Sequence, residues 1–158
     1  MPTRIETERL ILRTLVPSDA EATCALEGDA EVKRFLRGAR EYDVEKARRD
    51  IEAGKFEFLM AVTLAASGEF IGRCGLTESD GEWEINIVLQ KQHWRSGFGL
   101  EIGKSLIQYG FLELGADRIL GIADTENSAS HHLCKRLGMK LAENVQMKNQ
   151  RVFEIWRE

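Results

Sequence analysis

Between Trp83 and Leu114 the chain sets residue types in an order that can hold a phosphate. The run Trp83-Glu84-Ile85-Asn86-Ile87-Val88-Leu89 reads as a strand and Gln90 to Arg95 as a polar loop. Ser96-Gly97-Phe98-Gly99 reads as a glycine turn and Leu100 to Leu114 as a long helix. Strand, glycine turn and helix start together aim backbone N–H groups and a positive helix end at an anion. Other chemistry-bearing side chains fit their surroundings less well. His93 is a base by residue type, but it lies in the loop beside the anion site and reads as loop surface. His131 and His132 point apart on a helix, so with Cys134 they read as surface and packing. Cys24, Cys74 and Cys134 are odd in number and form no CxxC pair. Three reduced thiols are expected, with no zinc site and no disulfide framework.

Two nucleotide readings compete for the glycines. Gly97-Phe98-Gly99-Leu100-Glu101-Ile102-Gly103 matches a relaxed dinucleotide fingerprint, and Asp124 follows the next strand, where a ribose-binding acid belongs. Against an NAD(P) site, Gln90 to Ser96 separate strand from turn, and antiparallel strands precede where a parallel series would open. Gly103-Lys104-Ser105 resembles the end of a P-loop. Its first glycine would fall on Phe98, and the triplet lies inside the helix, where N–H groups are already engaged. Gly103 and Gly110 read as close-packing positions. Gly97 and Gly99, directly before a long helix, read as more than punctuation.

The elements that must position this stretch follow in order. Thr7-Glu8-Arg9-Leu10-Ile11-Leu12-Arg13 predicts a first strand. Pro17-Ser18-Asp19 starts a helix, with Ser18 or Asp19 at its positive end, and the helix runs from Asp19 to Glu27 and stops at Gly28. Asp29 to Leu36 has a short helical pattern, Gly38 to Glu41 is a loop, and Asp43 caps a helix over Val44 to Ala53 closed by Gly54. Strands are expected at Phe56 to Leu64, Phe70 to Thr77 and Glu82 to Leu89, the last two joined by the strong hairpin signal Ser79-Asp80-Gly81. After Gly115 come a strand over Arg118 to Ala123 and a helix from Ser128 to Leu137 stopped by Gly138. A final hairpin, Lys140 to Met147 and Arg151 to Trp156, turns at Lys148-Asn149-Gln150. The order β-α-α-β-β-β-α-β-α-β-β is an α+β chain with one strand–helix–strand crossover in its middle.

Composition bounds the partners. The 158 residues read as one domain, 1–158, and 43% hydrophobic with 30% charged residues fits a soluble globular chain. A net charge of −4 argues against non-specific nucleic-acid binding. Met1-Pro2-Thr3-Arg4 carries no apolar signal region, and the longest apolar run, Phe58 to Ala66, is too short to cross a bilayer. A cytoplasmic protein without membrane, nucleic-acid or metal partners is expected.

The segment Leu89…Trp94-Arg95-Ser96-Gly97-Phe98-Gly99-Leu100-Glu101 resembles the acyl-CoA pyrophosphate motif of the GNAT N-acetyltransferases, written (Gln or Arg)-x-x-Gly-x-(Gly or Ala). Trp94 replaces the first polar residue, as is common in the branch containing the ribosomal-protein N-terminal (alanine/serine) acetyltransferases. Three further segments resemble that branch: Thr7 to Arg13, Glu84-Ile85, and Asn127-Ser128-Ala129-Ser130 followed by Arg136-Leu137-Gly138-Met139. The departures are Asn86 and Arg95, where the branch usually has glycine, and Arg136 to Met139 in place of Lys-Leu-Gly-Phe. Asn86 bears on the acceptor pocket.

The resemblance implies an α+β GNAT-like acyl-CoA N-acyltransferase fold. Its central mixed, mostly antiparallel sheet has a V-shaped splay and is flanked by about four helices. It implies acetyl-CoA as cosubstrate, an amine acceptor (a protein N-terminus or a small-molecule amine) and direct transfer in a ternary complex. A homodimer is compatible with it, and a CoA-binding sensor of the same fold is the alternative. Freed backbone groups of Ile87, Val88 and Leu89 would pair with pantetheine, and an N–H near Val88 would face the thioester oxygen. N–H groups of Arg95, Ser96, Gly97, Phe98, Gly99 and Leu100 would hold the pyrophosphate, with charge added by Arg95. Glu84 would act as general base through a water, or orient the amine cation. Asn127 would hold the pantetheine amide or its water, and Ser130 would donate to the sulfur as thiolate forms; helix capping is the plainer role of both. The first helices, with Arg34, Arg37, Arg40, Arg48 and Arg49, would wall the acceptor site.

Overall fold

Of the stretch predicted as the first strand, Thr7 to Arg13, only the part from Leu10 is strand, and a strand not expected, Arg4–Glu6, precedes it. Thr7 N–H bonds Leu10 O at 3.0 Å, so the chain turns there. It pairs β1 (Arg4–Glu6) with β2 (Leu10–Thr14) antiparallel, from Arg4↔Arg13 to Glu6↔Ile11. In the computed structural model, which describes residues 1–38 and 43–158, Leu10 and Leu12 of β2 are fully buried. A 3-10 turn over Pro17–Asp19 leads into α1 (Ala20–Gly28). Asp19 accepts the Val16 N–H at 2.9 Å and a bidentate pair from Arg13, at 2.7 and 2.8 Å, which ties the helix entry to β2. The short helix α2 (Ala30–Lys33) is capped by Asp29, and α3 (Val44–Glu52) by Asp43. The helical pattern expected to Leu36 ends in a Leu36 N–H to Lys33 O turn. Of the loop expected over Gly38 to Glu41, all but Gly38 lies outside the described residues.

Then come β3 (Leu59–Leu64), β4 (Phe70–Ser79) and β5 (Glu82–Leu89). Phe56 to Phe58 were expected to open β3. Local turn bonds, Glu57 N–H to Gly54 O and Leu59 N–H to Phe56 O, hold them out of the sheet. Asp80 and Gly81 both take positive φ, 53° and 80°, which gives a two-residue turn whose twist matches paired strands. The central helix α4 (Phe98–Leu112) begins two residues earlier than expected, at Phe98, with Gly97 as its N-cap. After it come β6 (Arg118–Asp124), α5 (Ser128–Arg136), β7 (Lys140–Leu141) and β8 (Gln150–Trp156). The long strand expected to Met147 shrinks to β7, because Ala142 N–H to Val152 O is the last pairing before the chain leaves β8.

The sheet order is β1-β2-β3-β4-β5-β6-β8-β7. Every neighbouring pair is antiparallel except β5 with β6. Alternation sorts the two faces. Leu10, Leu12, Met60, Val62, Leu76, Ile85 and Ile87 pack against Ile102 and Leu106 of α4. Leu59, Ala61, Phe70 and Val88 face α1, α2 and α3. Glycines let α4 approach closely. A Cβ at Gly103 would lie 2.6 Å from Leu137, just after α5, and one at Gly110 would lie 2.6 Å from Ile119 of β6. The glycine of the Gly103-Lys104-Ser105 triplet is therefore a helix-packing position.

Candidate active site

The parallel pair is short. β5 and β6 meet only at Trp83↔Ile119 and Glu84↔Leu120. β5 stays paired to β4 as far as Leu89, and β6 to β8 as far as Asp124. The two strands therefore part after Glu84, opening a wedge with Glu84 at its apex. Pleat decides which backbone groups face it. Ser79 and Glu82 flank a two-residue turn and so exchange both hydrogen bonds, and alternate pairs beyond them do the same. Gln90 N–H to Ile71 O, at 2.8 Å, continues that series. Even-numbered residues of β5 thus bond β4, and Ile87 and Leu89 turn their backbone groups into the wedge. The groups nearest Val88 that face the opening belong to these two neighbours.

The glycine turn stands at the mouth. Gly97 is left-handed with φ 81°, and Arg95 is left-handed with φ 59°. Among the described residues no acceptor is recorded for the N–H groups of Arg95 to Leu100; the first loop-closing bond is Glu101 N–H to Gly97 O at 3.2 Å. Six free donors in sequence at the N-terminus of a fifteen-residue helix make an anion cradle. A strap from the N-terminus braces it. Glu101 accepts from Thr7 Oγ1 (2.6 Å), Arg9 N (2.7 Å) and Arg9 Nε (2.8 Å). Arg9 Nη1 also donates to Ser96 O at 2.9 Å, and the guanidinium lies 4.3 Å over the Phe98 ring. Burial alone would raise the Glu101 pKa, but the bonds from Thr7 and Arg9 outweigh it and lower it. Trp94 Nε1 donates to Leu89 O at 2.9 Å and ties the loop to the end of β5. His93 is a half-buried loop residue, its ring 6.1 Å from that of Phe98.

Glu84 lies on the sheet face of α1 to α3. Burial raises its pKa, and an ion pair with Arg37, just beyond α2, opposes the rise. Asn86, on the same face, donates from Nδ2 to Thr77 Oγ1 at 3.0 Å. Of the other arginines expected near the acceptor, Arg34 lies over Phe35, Arg48 pairs with Glu45, and Arg40 is outside the described residues. Asn127 caps α5, its Oδ1 accepting from Ser130 N at 3.2 Å. The Ser130 hydroxyl has no recorded partner among the described residues. A Cβ at Gly99 would lie 3.2 Å from Leu133, so the starts of α4 and α5 meet at the mouth. His131 is buried, bonds Asp124 O at 2.9 Å and packs on Phe153, which makes it a structural histidine.

The family model described as an acetyltransferase (GNAT) domain matches residues 9–140. The chain belongs to the GNAT acetyltransferases. It is 31% identical to the uncharacterized N-acetyltransferase YoaA of Bacillus subtilis (strain 168), over 86% of this chain and 82% of that one. It is 32% identical to the uncharacterized N-acetyltransferase p20 of Bacillus licheniformis, over 85% and 80%. The crystal structure of a GNAT-family acetyltransferase from Bacillus anthracis superposes with a TM-score of 0.83 at 21% identity, covering 97% of this chain and 98% of that one. The GNAT fold expected from the sequence is thereby shown, with five α-helices and eight strands among the described residues. No helix among the described residues is long and apolar enough to cross a membrane.

The cradle of this GNAT chain fits a pyrophosphate, since it offers uncommitted backbone donors at a positive helix end. Four residues that serve the site escaped the sequence reading: Thr7, Arg9, Glu101 and, as the partner of Glu84, Arg37. Thr7, Arg9 and Glu101 lie in segments that resemble the family, and Arg37 among the arginines of the acceptor wall, which was their only signal.

Proposed function

We propose that the chain is an acetyl-CoA-dependent N-acetyltransferase, a single domain over residues 1–158, that acetylates a primary amine by direct attack in a ternary complex. One observation carries the reading: β5 leaves β6 at Glu84, and the wedge so opened ends in six unpaired N–H groups. Five residues of strand, roughly 17 Å, separate apex from mouth. An extended ligand with a phosphate at one end and a reactive group at the other matches that span.

Each part of the chain then has a task. The N–H groups of Arg95 to Leu100 hold the pyrophosphate, with the Arg95 side chain beside them. The backbone groups of Ile87 and the N–H of Leu89, whose carbonyl is held by Trp94, bind the pantetheine arm as a strand would, and the Ile87 N–H, beside Val88, polarises the thioester carbonyl. Asn127 steadies the arm's amide. Acetyl-CoA supplies the acetyl thioester. Glu84, whose burial favours proton uptake, takes a proton from the incoming ammonium through a water, and Ser130 donates to the departing sulfur. Cys74 is not needed as a nucleophile: it is fully buried, which pushes its thiol up to about 12.

Acetyl-CoA should raise the melting temperature, and NADP and ATP should not; stabilisation by NADP alone would sink the reading. Free thiol release should follow over a panel of amines, peptides and ribosomal-protein N-termini. CoA binding without turnover on a broad panel would favour a binding protein of the same fold. Gly97→Trp should abolish CoA binding, because any side chain there sits at left-handed φ, 3.3 Å from Arg9 Nη2, in the path of the phosphate.

A further inference from the structure

Arg37 is an unexpected neighbour for a base, since a guanidinium beside a carboxylate weakens its hold on a proton. Nor does the pair have the marks of a structural bridge. The Arg37 side chain is 40% exposed and, among the described residues, Glu84 is its one partner. Arg37 lies beyond a four-residue helix rather than on a strand. The guanidinium end of the pair is open to solvent, and a pair screened in this way adds little to stability. Arg118, which serves the same sheet, is different: it is bound by both Glu82 and Glu154 and lies over Trp156. Two residues along β5 from Glu84, Asn86 donates from Nδ2 to Thr77 Oγ1 and to the Glu84 carbonyl, and its Oδ1 has no donor among the described residues. The apex therefore holds one carboxylate, one amide oxygen and one replaceable guanidinium.

Building on the reading of Glu84 as the carboxylate that meets the amine, we infer that the acceptor is a free α-amino acid or similar small amino-carboxylate. Its ammonium replaces Arg37 on Glu84, with Asn86 Oδ1 as a second acceptor, and its carboxylate takes the released guanidinium. One ion pair becomes two, and no charge is left alone. An amine without a carboxylate would strand Arg37, which is how a site built for a polar group rejects analogues that lack it. The transfer balances. The ammonium gives one proton to Glu84 and on to solvent. The nitrogen forms the C–N bond as the C–S bond breaks, and its second proton ends on the CoA sulfur.

The test compares thiol release for matched sets: each of the twenty amino acids, its α-amide, its decarboxylated amine and a tripeptide with the same first residue. For at least one side chain the free acid should exceed its amide and amine by about 10–100-fold in kcat/KM, the worth of a charge-assisted pair. That ratio should collapse in Arg37→Met and recover in part in Arg37→Lys. Amides or peptides used as well as acids, or a ratio unchanged in Arg37→Met, would overturn the inference. If amines are acetylated without carboxylate preference, the acceptor class alone is wrong. If acetyl-CoA neither stabilises the protein nor is turned over with any amine, the acetyltransferase reading falls with it. The wild-type comparison stands even where a variant fails to fold.

Discussion

Replacing Glu101 with alanine should both destabilise the chain and loosen its grip on CoA. The carboxylate ends three short bonds, from Thr7 Oγ1, Arg9 N and Arg9 Nε. Its side chain is 15% exposed, whereas that of Arg9 is 45% exposed. The guanidinium bond is therefore worth about 0.5–1 kcal/mol after solvent screening, and the two others about 1–1.5 kcal/mol each. Together they give roughly 2.5–4 kcal/mol, or about 5–15 °C in Tm at this chain length. Affinity should suffer too, because Arg9 loses its anchor while it holds Ser96 O; a rise in Kd for CoA of about 10-fold corresponds to one such bond. Sign fixes the pH dependence. The folded pKa of Glu101 lies below its ordinary 4.5, so its stabilisation is present above that value and is lost as pH falls through the folded pKa. The difference in Tm between wild type and Glu101→Ala should narrow in acid. Melting curves across pH and CoA titration calorimetry read both effects. A Tm loss under about 1 °C, or a difference that widens in acid, would refute the brace.

Glu84→Gln should lower turnover at least about 100-fold with CoA affinity unchanged. It should also erase an acid limb in kcat/KM that lies above the ordinary glutamate range, because burial raises that pKa; an unchanged profile removes Glu84 as base. Gly103→Ala should cost about 1–3 kcal/mol by pressing a Cβ against Leu137, read by denaturant melts. CoA affinity falling further than stability would mean that this glycine serves the ligand. Asp50, held by Lys46 and Lys55 at 2.7 Å each, has its pKa lowered to about 2. Its contribution is present above 3.8, its unfolded value, and is lost as pH falls toward 2. Asp50→Asn should therefore be least stable relative to wild type at neutral pH and converge with it in acid, and a gap constant with pH would remove the pair from the stability account.

What could be read in advance was local. Asp80-Gly81 names its turn by residue type, α4 and α5 announce themselves by period and caps, and Glu84-Ile85 and Asn127 to Ser130 stood out through family likeness. The misses depend on contacts distant in sequence. Glu101 is joined to Thr7 across 94 residues and to Arg9 across 92, a spacing that no helix or strand period reports. β1 is three residues long with a charge at either end, too short for alternation to show. Five arginines were noted around the acceptor helices, but only the folding of α2 against β5 picks out Arg37. Strand pattern alone named Ile87 to Leu89 together; the pairing of Ser79 with Glu82 then divides them, turning Ile87 and Leu89 toward the wedge and Val88 toward β4.

That division carries a wider consequence for the site. Eight registered pairs fix β5 to β4, and the wedge leaves most of its other edge free. The span from Glu84 to the cradle is therefore set by the rigid side of one strand, not by the loops at either end. A shift of register by one residue would move Glu84 to the α4 face and exchange the backbone groups that line the wedge. The device that prevents the slip is the Asp80-Gly81 turn, at the end of β5 remote from the phosphate cradle. Lengthening this turn by one residue should therefore abolish acetyl transfer even where CoA still stabilises the fold, since Gly97 to Leu100 keep their helix end while the carboxylate loses its place. Transfer that survives the insertion would show that Glu84 and the strand register are not coupled to the chemistry.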